Sequence, residues 1–341
     1  MSDWKNLILH GDCLDIIRDY SDSLLGQIRL IYIDPPFFSG TDYTLKNRSA
    51  GNSQSAGILR EEMTYSDKWE GGLQEYLDFM RARLSAMKPL LRDDGSLWVH
   101  LDWHVSHYIK VILDEIFGYS NFVNEVVWKR TNSPKAQSRG FGSQHDVILL
   151  YARDSSRFNT KQVYREHNEK SRRPYSYQDK KGKFRLIEIE AQGIQRTENR
   201  KQFEWRGRTA PYLYRRESLD EWWDAELIYT SKNGRYTKKQ YLSDVPGVPV
   251  SDLWTDIHPV QGGSKENTGF LTQKPETLLE RIIESSTEQD DIVADFFAGS
   301  GTTAVVAQRM NRRWIVCDLS EASIKVMKER LSLDTIGLDE I

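Results

Sequence analysis

Cysteine is scarce: the 341-residue chain carries only Cys13 and Cys317. Two thiols make neither a disulfide framework nor a cysteine zinc site. Both stand beside expected strand ends and read as small buried fillers. Long apolar runs are missing too. No stretch approaches the roughly 18 residues that a membrane-crossing helix requires, so no membrane partner is expected. The opening Met1-Ser2-Asp3-Trp4-Lys5 lacks the basic and apolar regions of a secretory signal, which makes a cytoplasmic protein the expectation. No internal repeat or long low-complexity tract is evident.

Net charge is also small, at −3, but that balance hides an asymmetry. From Trp128 to Arg216 there are 22 Lys+Arg against 9 Asp+Glu, whereas the remainder holds 25 basic and 41 acidic residues. A basic segment inside an acidic protein is a candidate footprint for phosphate. Aromatics such as Tyr175, Trp205 and Tyr212 are interleaved with it. The same pattern also fits a solvated basic face with ordinary aromatic packing.

The most informative residues are Asp34-Pro35-Pro36-Phe37. They follow Leu30-Ile31-Tyr32-Ile33, an apolar, β-branched run that reads as a buried strand. Proline lacks an N–H and fixes φ, so the sheet ladder stops there. The carbonyls of Asp34 and Pro35 are then free to face a ligand at the carboxyl edge of the sheet, where open α/β sheets bind ligands. A carboxylate, a carbonyl and an aromatic face suit a flat base held by its amino group. An Asp-Pro turn ending a strand is the plainer alternative.

A second strand-like run, Asp291 to Phe297, contains Asp295. Ala298-Gly299-Ser300-Gly301-Thr302-Thr303 follows it, then a helical run from Ala304 to Met310. The glycines permit a tight turn and close backbone approach to a ligand, and a helix N-terminus beyond it exposes free N–H groups. Trp314 to Cys317 reads as the next strand, and Asp318 at its end is placed to accept ribose hydroxyls. The spacing is not G-x-G-x-x-G, which disfavours a nicotinamide cofactor.

Together these motifs resemble the amino-group DNA methyltransferases that use S-adenosylmethionine, and the resemblance covers most of the chain. Asp34-Pro35-Pro36-Phe37 is similar to that family's catalytic motif, and Phe297 to Thr303 to its cofactor loop. Thr272-Gln273-Lys274-Pro275-Glu276 resembles the segment preceding that loop, and His10-Gly11-Asp12-Cys13-Leu14 the adenine-side segment. Asn124 to Arg130, with Lys129 at its end, and His145-Asp146 resemble the strand pair lining the target pocket. The catalytic motif precedes the cofactor loop, an order similar to the beta class. The chain departs from the family at Phe296, often Pro, and at Phe37, more often Tyr.

The resemblance implies a Rossmann-like α/β methyltransferase fold with circularly permuted motifs and an inserted target-recognition region. Residues 1–151 and 251–341 would form the catalytic domain and residues 152–250 the insert, which loses the strand–helix rhythm. It implies S-adenosylmethionine as cofactor, held by Asp12, Cys13, Lys274, Asp295, residues 297–303 and Asp318, with Asp12 toward the adenosine and Lys274 toward the methionine carboxylate. Double-stranded DNA is the expected substrate, contacted by Lys129, Arg130, Arg172, Arg173, Arg206 and Arg208. A homodimer and a restriction-endonuclease partner stay open. Asp34 favours N6 of adenine over N4 of cytosine, and the paired base must be flipped out. The polar stretch from Phe38 to Asp67 reads as a mobile loop that could close over DNA.

His100, Asp102, His104 and His107 lie close together, but fall on a strand end and a helix start. Pocket-lining hydrogen bonds are favoured there over a metal site. A metal-dependent nuclease, or a DNA-binding protein without chemistry, would leave the two ligand-binding strand ends unexplained.

Overall fold

The computed structural model describes residues 4–46, 61–131, 140–191 and 202–331. The polar centre of the expected closing loop, residues 47–60, lies outside them. From the amino end, β1 (Leu7–His10) leads into α1 (Cys13–Leu24), whose first turn is capped by the Asp12 carboxylate accepting from the Leu14 N–H at 2.8 Å. The apolar strand β2 (Ile28–Ile33) stops at Asp34-Pro35-Pro36. A hairpin of β3 (Asp42–Lys46) and β4 (Glu61–Ser66) follows. Then come α2 (Gly72–Met87), β5 (Leu91–Leu101), α3 (Ser106–Phe117), β6 (Phe122–Lys129) and β7 (His145–Ala152).

The chain divides into two compact units, residues 164–250 forming the smaller and the flanking residues the larger. The expected boundary at Ala152 therefore moves to Tyr164. The reason is local. Arg153 donates to the carbonyls of Lys88, Pro89 and Leu91 at 2.7–3.0 Å, and Phe158 is buried beneath the Arg29 guanidinium. Residues 152–163 are thus tied to the larger unit.

The smaller unit runs through β8 (Tyr164–Arg165), α4 (Glu169–Arg172), β9 (Tyr177–Asp179), β10 (Gly182–Glu188), β11 (Phe203–Trp205), β12 (Arg208–Ala210), α5 (Arg216–Asp224), β13 (Ile228–Thr230), β14 (Tyr236–Tyr241) and β15 (Val248–Pro249). Its main sheet is antiparallel, in the order β13-β14-β10-β9. The β11–β12 hairpin turns on Arg206 and Gly207, both with positive φ. Trp205, Tyr212, Leu219 and Ile189 form its core.

The larger unit resumes with β16 (Leu253–Trp254), α6 (Glu276–Ser286), β17 (Ile292–Asp295), α7 (Thr302–Arg309), β18 (Arg313–Asp318) and α8 (Glu321–Leu331). Its main sheet has eight strands in the order β1-β18-β17-β2-β5-β7-β6-β16, with β7 antiparallel to both neighbours and the other pairs parallel. Side chains alternate across a strand. Ile31 and Ile33 of β2 join the core with Ile17 of α1, Met80 of α2 and Ile109 of α3. Trp98 of β5 instead donates to Ser286 of α6 at 3.1 Å. The chain leaves β2 towards β5 and leaves β17 towards β18, in opposite directions along the sheet. The carboxyl ends of β2 and β17 therefore flank a switch point, the place where such sheets bind ligands.

Candidate active site

Because β1, β18, β17 and β2 are parallel, their carboxyl ends meet at one edge, and each brings an acid: Asp12, Asp318, Asp295 and Asp34. These acids line a single cavity of about 420 Å³ with Phe297, Lys274 and other residues, a size typical of small-ligand sites.

Three of the acids brace the edge itself. Asp12 caps α1 and pairs with Arg83 at 2.5 Å. Asp318 accepts from the Gly299 N–H at 2.8 Å on one oxygen and from the Ser320 N–H at 2.9 Å on the other. The expected ribose acceptor thus also holds the glycine loop. Asp295 accepts from the Phe297 N–H at 3.0 Å and the Thr303 hydroxyl at 2.5 Å. Complete burial, with Asp34 and Asp318 nearby, pushes its carboxyl up to about 7 although both hydrogen bonds favour the anion. Burial likewise raises Asp318.

Asp34 differs. One oxygen meets the Lys274 ammonium, and Lys274 also lines the cavity. The other oxygen, Oδ1, is buried with no hydrogen-bond partner; among the described residues it is the only such atom belonging to a cavity-lining residue. A desolvated acceptor left unsatisfied costs about 1–3 kcal/mol. Phe37 lies beside His100, with ring centroids 6.0 Å apart, and Tyr76 donates to the Pro36 carbonyl at 2.8 Å.

The glycine loop is fixed from behind. Gly301 has φ +76°, and a Cβ there would stand 2.5 Å from Met327 Cγ on α8. Arg330 of the same helix donates to the Ser300 carbonyl at 2.9 Å and to Thr302 Oγ1 at 3.1 Å, and pairs with Glu276. Ala298 donates its N–H to the Cys317 carbonyl at 3.0 Å. Cys13 lines the cavity, but burial, only partly offset by Arg83, pushes its thiol up to about 12. Cys317 is raised by burial as well. Neither is a nucleophile at neutral pH.

The histidine-rich stretch does not converge. His100 is fully buried between Tyr32 Oη at 2.9 Å and Asp146 at 3.3 Å, while Asp102 pairs with His104 and His107 is exposed. Among the described residues no cluster of metal-ligating side chains forms.

The cations expected on DNA fall in both units and differ in availability. In the larger unit Lys129 is half-buried and Arg130 pairs with Asp146 at 2.9 Å. In the smaller unit Arg172 and Arg173 are exposed, and Arg206 is exposed above the Trp223 ring. Arg208 is already engaged: Glu190, itself buried, grips it through two hydrogen bonds of 2.7 and 3.0 Å. Its charge is locally neutralised.

Several cavity-lining residues belong to none of the sequence motifs. Arg83 sits on the buried stripe of α2 with Tyr76, Met80 and Leu84, its guanidinium 3.4 Å from the Phe79 ring. A charge on an apolar stripe is the signal that could have marked it. Trp69, Phe79 and Phe270 also line the cavity, and nothing in their local sequence indicates it.

An open α/β sheet carrying acids and a glycine loop at its switch point has the arrangement of a small-ligand-binding protein. The comparisons sharpen that. A family model for N6/N4 methyltransferases, described as DNA methylase, matches residues 28–329. The chain belongs to the N6/N4 amino-group DNA methylase family. It is 29% identical over 311 residues to the type II methyltransferase M.EcaI of Enterobacter cloacae, covering 90% of this chain and 65% of that protein. It is 28% identical to the Mod subunit of the type III restriction-modification enzyme StyLTI of Salmonella typhimurium, covering 98% of this chain and 55% of that protein. The chain thus spans under two thirds of the length of either relative. Its fold is similar to that of the cytosine-N4-specific PvuII DNA methyltransferase, with a TM-score of 0.51, 14% identity and coverage of 98% and 89% of the two chains. It is also similar to a Thermus thermophilus protein solved in complex with S-adenosyl-L-methionine, with a TM-score of 0.50, 15% identity and coverage of 99% and 98%.

Proposed function

We propose that this chain is a site-specific DNA methyltransferase of the beta class, acting on the N6 amino group of a flipped adenine with S-adenosylmethionine as donor. The observation that carries this reading is Asp34 Oδ1, a buried acceptor without a partner in a cavity shared with the glycine loop. An exocyclic amino group supplies the missing donor. The cavity suits the donor molecule as well: its acidic lining would favour a cationic donor, and Phe297 and Phe270 offer apolar surface. Asp12 and Asp318 remain the candidates for the adenosine end.

When bound, S-adenosylmethionine supplies an electrophilic methyl group, so the protein's task is chiefly alignment. The lone pair of an aromatic amine is delocalised into its ring. Hydrogen bonds from its N–H groups to Asp34 Oδ1 and the Pro35 carbonyl favour the pyramidal, nucleophilic form. Lys274 holds the other Asp34 oxygen and turns Oδ1 to the amine. Phe37 stacks on the flipped base. The methylated amine is a strong acid and gives its proton to water.

The order of the motifs, with Asp34 ahead of the glycine loop and residues 164–250 between them, supports the permuted beta-class arrangement. The smaller unit is the candidate for target recognition. A homodimer and a restriction endonuclease working on the same site extend the reading, in line with the restriction-modification setting of the StyLTI relative.

The test is incubation with methyl-labelled S-adenosylmethionine and unmethylated DNA, followed by nucleoside analysis. N6-methyldeoxyadenosine is the expected product. N4-methyldeoxycytidine would reassign the base, and unlabelled DNA from a cofactor-binding protein would overturn the reading.

A further inference from the structure

Asp67 lies outside the motifs, yet its side chain is bound more heavily than any acid at the sheet edge. It is 1% exposed. One oxygen accepts from the Phe37 N–H at 3.2 Å, the Ser39 N–H at 2.6 Å and the Ser39 hydroxyl at 2.7 Å. The other accepts from the Phe38 N–H at 3.0 Å and from Trp69 Nε1 at 3.0 Å. Three successive amides directly after Pro36 thus converge on one carboxylate. The main chain repeats the link, since Gly40 donates to the Asp67 carbonyl and Asp67 to the Thr41 carbonyl. Both ends of the stretch expected to be a mobile loop are therefore pinned.

The backbone at this point needs such support. Phe38 has φ +61°, a left-handed conformation that a bulky residue rarely adopts. Convergent amides aimed at a buried anion make charge-assisted hydrogen bonds, the strong kind. The carboxylate also ties the Phe37 segment to a wall of the cavity. On one side it fixes the backbone of Phe37, next to cavity-lining Pro36. On the other it orients the Trp69 indole, which packs edge-on against Tyr76 at 5.2 Å and Phe79 at 4.9 Å. Tyr76 returns to the motif through the Pro36 carbonyl. Pro36, Tyr76, Trp69, Asp67 and Phe37 thus close a ring.

We infer that Asp67 is a positioning residue for methyl transfer: it holds Phe37 at the base-stacking position and locks that position to the Trp69 wall of the donor cavity. The inference rests on the methyltransferase reading. Asp67 is not among the residues lining the cavity, so its loss should lower turnover and leave donor binding in place.

The experiment compares the full chain with Asp67→Asn, Ser39→Ala and Trp69→Phe. Calorimetry with S-adenosylmethionine gives Kd and the fraction of competent sites. Labelled-methyl transfer to unmethylated DNA at saturating donor then gives kcat per competent site, a quantity that partial unfolding does not change. Asp67→Asn places an N–H donor or a neutral oxygen against the amides. It is expected to lower kcat per site by about 10- to 100-fold, the scale of a small misplacement of reacting groups, with Kd within about threefold. Unchanged kcat per site, whatever the melting temperature, overturns the inference. If Asp67→Asn does not fold, Ser39→Ala and Trp69→Phe each remove one side-chain donor. A loss of turnover with intact Kd in either supports the inference, and wild-type kcat in both overturns it. A wild-type chain that binds donor but labels no DNA sinks the functional reading and this inference together. An active wild type with indifferent variants sinks the inference alone.

Discussion

At the carboxyl edge of the large sheet, charges are buried and assigned; on the smaller unit, many are exposed and uncommitted. Asp12, Asp295 and Asp318 each spend their oxygens on holding backbone or side chain, and only Asp34 keeps a buried oxygen unpaired. In the smaller unit Arg172, Arg173 and Arg206 reach solvent, while Arg208 and Arg235 are drawn to Glu190 and Glu188. The first arrangement suits a reaction, where a displacement of a fraction of an ångström matters. The second suits a polyanion, which is attracted over distances set by salt and tolerates adjustment.

The contrast is less sharp than the raw sequence implies. The strongly basic stretch from Trp128 to Arg216 straddles the boundary at Tyr164. The smaller unit itself, residues 164–250, holds 19 Lys+Arg and 13 Asp+Glu, because α5 adds Glu217, Asp220, Glu221 and Asp224. If this unit binds DNA, the attraction depends on where its cations stand more than on total charge.

The largest effect that would break the comparison lies at Asp34. Asp34→Ala removes the unpaired acceptor and frees Lys274. Methyl transfer to DNA should fall about 100-fold or more, with S-adenosylmethionine binding little changed by calorimetry. Near-normal turnover in a folded variant would mean that the buried acids are structural throughout. The next largest lies at Gly301. A valine there meets Met327 and must adopt φ +76°, so the loop has to move. Donor affinity should weaken by about 2–4 kcal/mol, the scale of an overpacked or strained site; an unchanged Kd would detach the glycine loop from the donor.

Asp295 offers a pH test. Its carboxyl is held up at about 7 by burial, against about 3.9 in an unfolded chain. The folded state therefore binds the proton more tightly, and the stability this provides is lost as pH rises from about 4 through 7. The full linkage would be about 4 kcal/mol, and relaxation around the site should reduce it to about 1–3 kcal/mol. Denaturant melts at pH 5 and pH 8 should show this fall in the wild type and a smaller one in Asp295→Asn. Equal falls would mean that Asp295 is ionised in the folded protein at both pH values.

Much of the larger unit was legible because its signals are local. The β2 run and its Asp-Pro-Pro stop, the two glycines of the loop, and the β6–β7 pair each follow from residues adjacent in sequence. What was not legible depends on distance along the chain. Asp67 meets Phe37 across 30 positions and Lys274 meets Asp34 across 240. No periodicity reports such pairs. In the smaller unit the fate of Arg208 was not legible, because Glu190 reaches it from outside the β11–β12 hairpin. Composition counts charges; only the fold shows which are already paired.

The smallest effect separates paired from unpaired arginines within the smaller unit. Exposed Arg172 and Arg173 should contact phosphate if this unit binds DNA, and each phosphate contact adds about 0.9 to the slope of log affinity against log salt. Replacing both with alanine should reduce the slope by about 1–2 and weaken binding to all DNA sequences alike. Arg208→Ala should leave the slope near the wild-type value. Instead it leaves buried Glu190 with Arg235, 3.8 Å away, in place of its two Arg208 hydrogen bonds, so the cost should appear as a lower melting temperature. Titrations of labelled duplex between about 50 and 200 mM salt and a thermal melt of each variant suffice. If Arg208→Ala lowers the slope while Arg172→Ala/Arg173→Ala does not, then Glu190 gives up its arginine to phosphate on binding, and the distinction between committed and uncommitted charge fails for this unit.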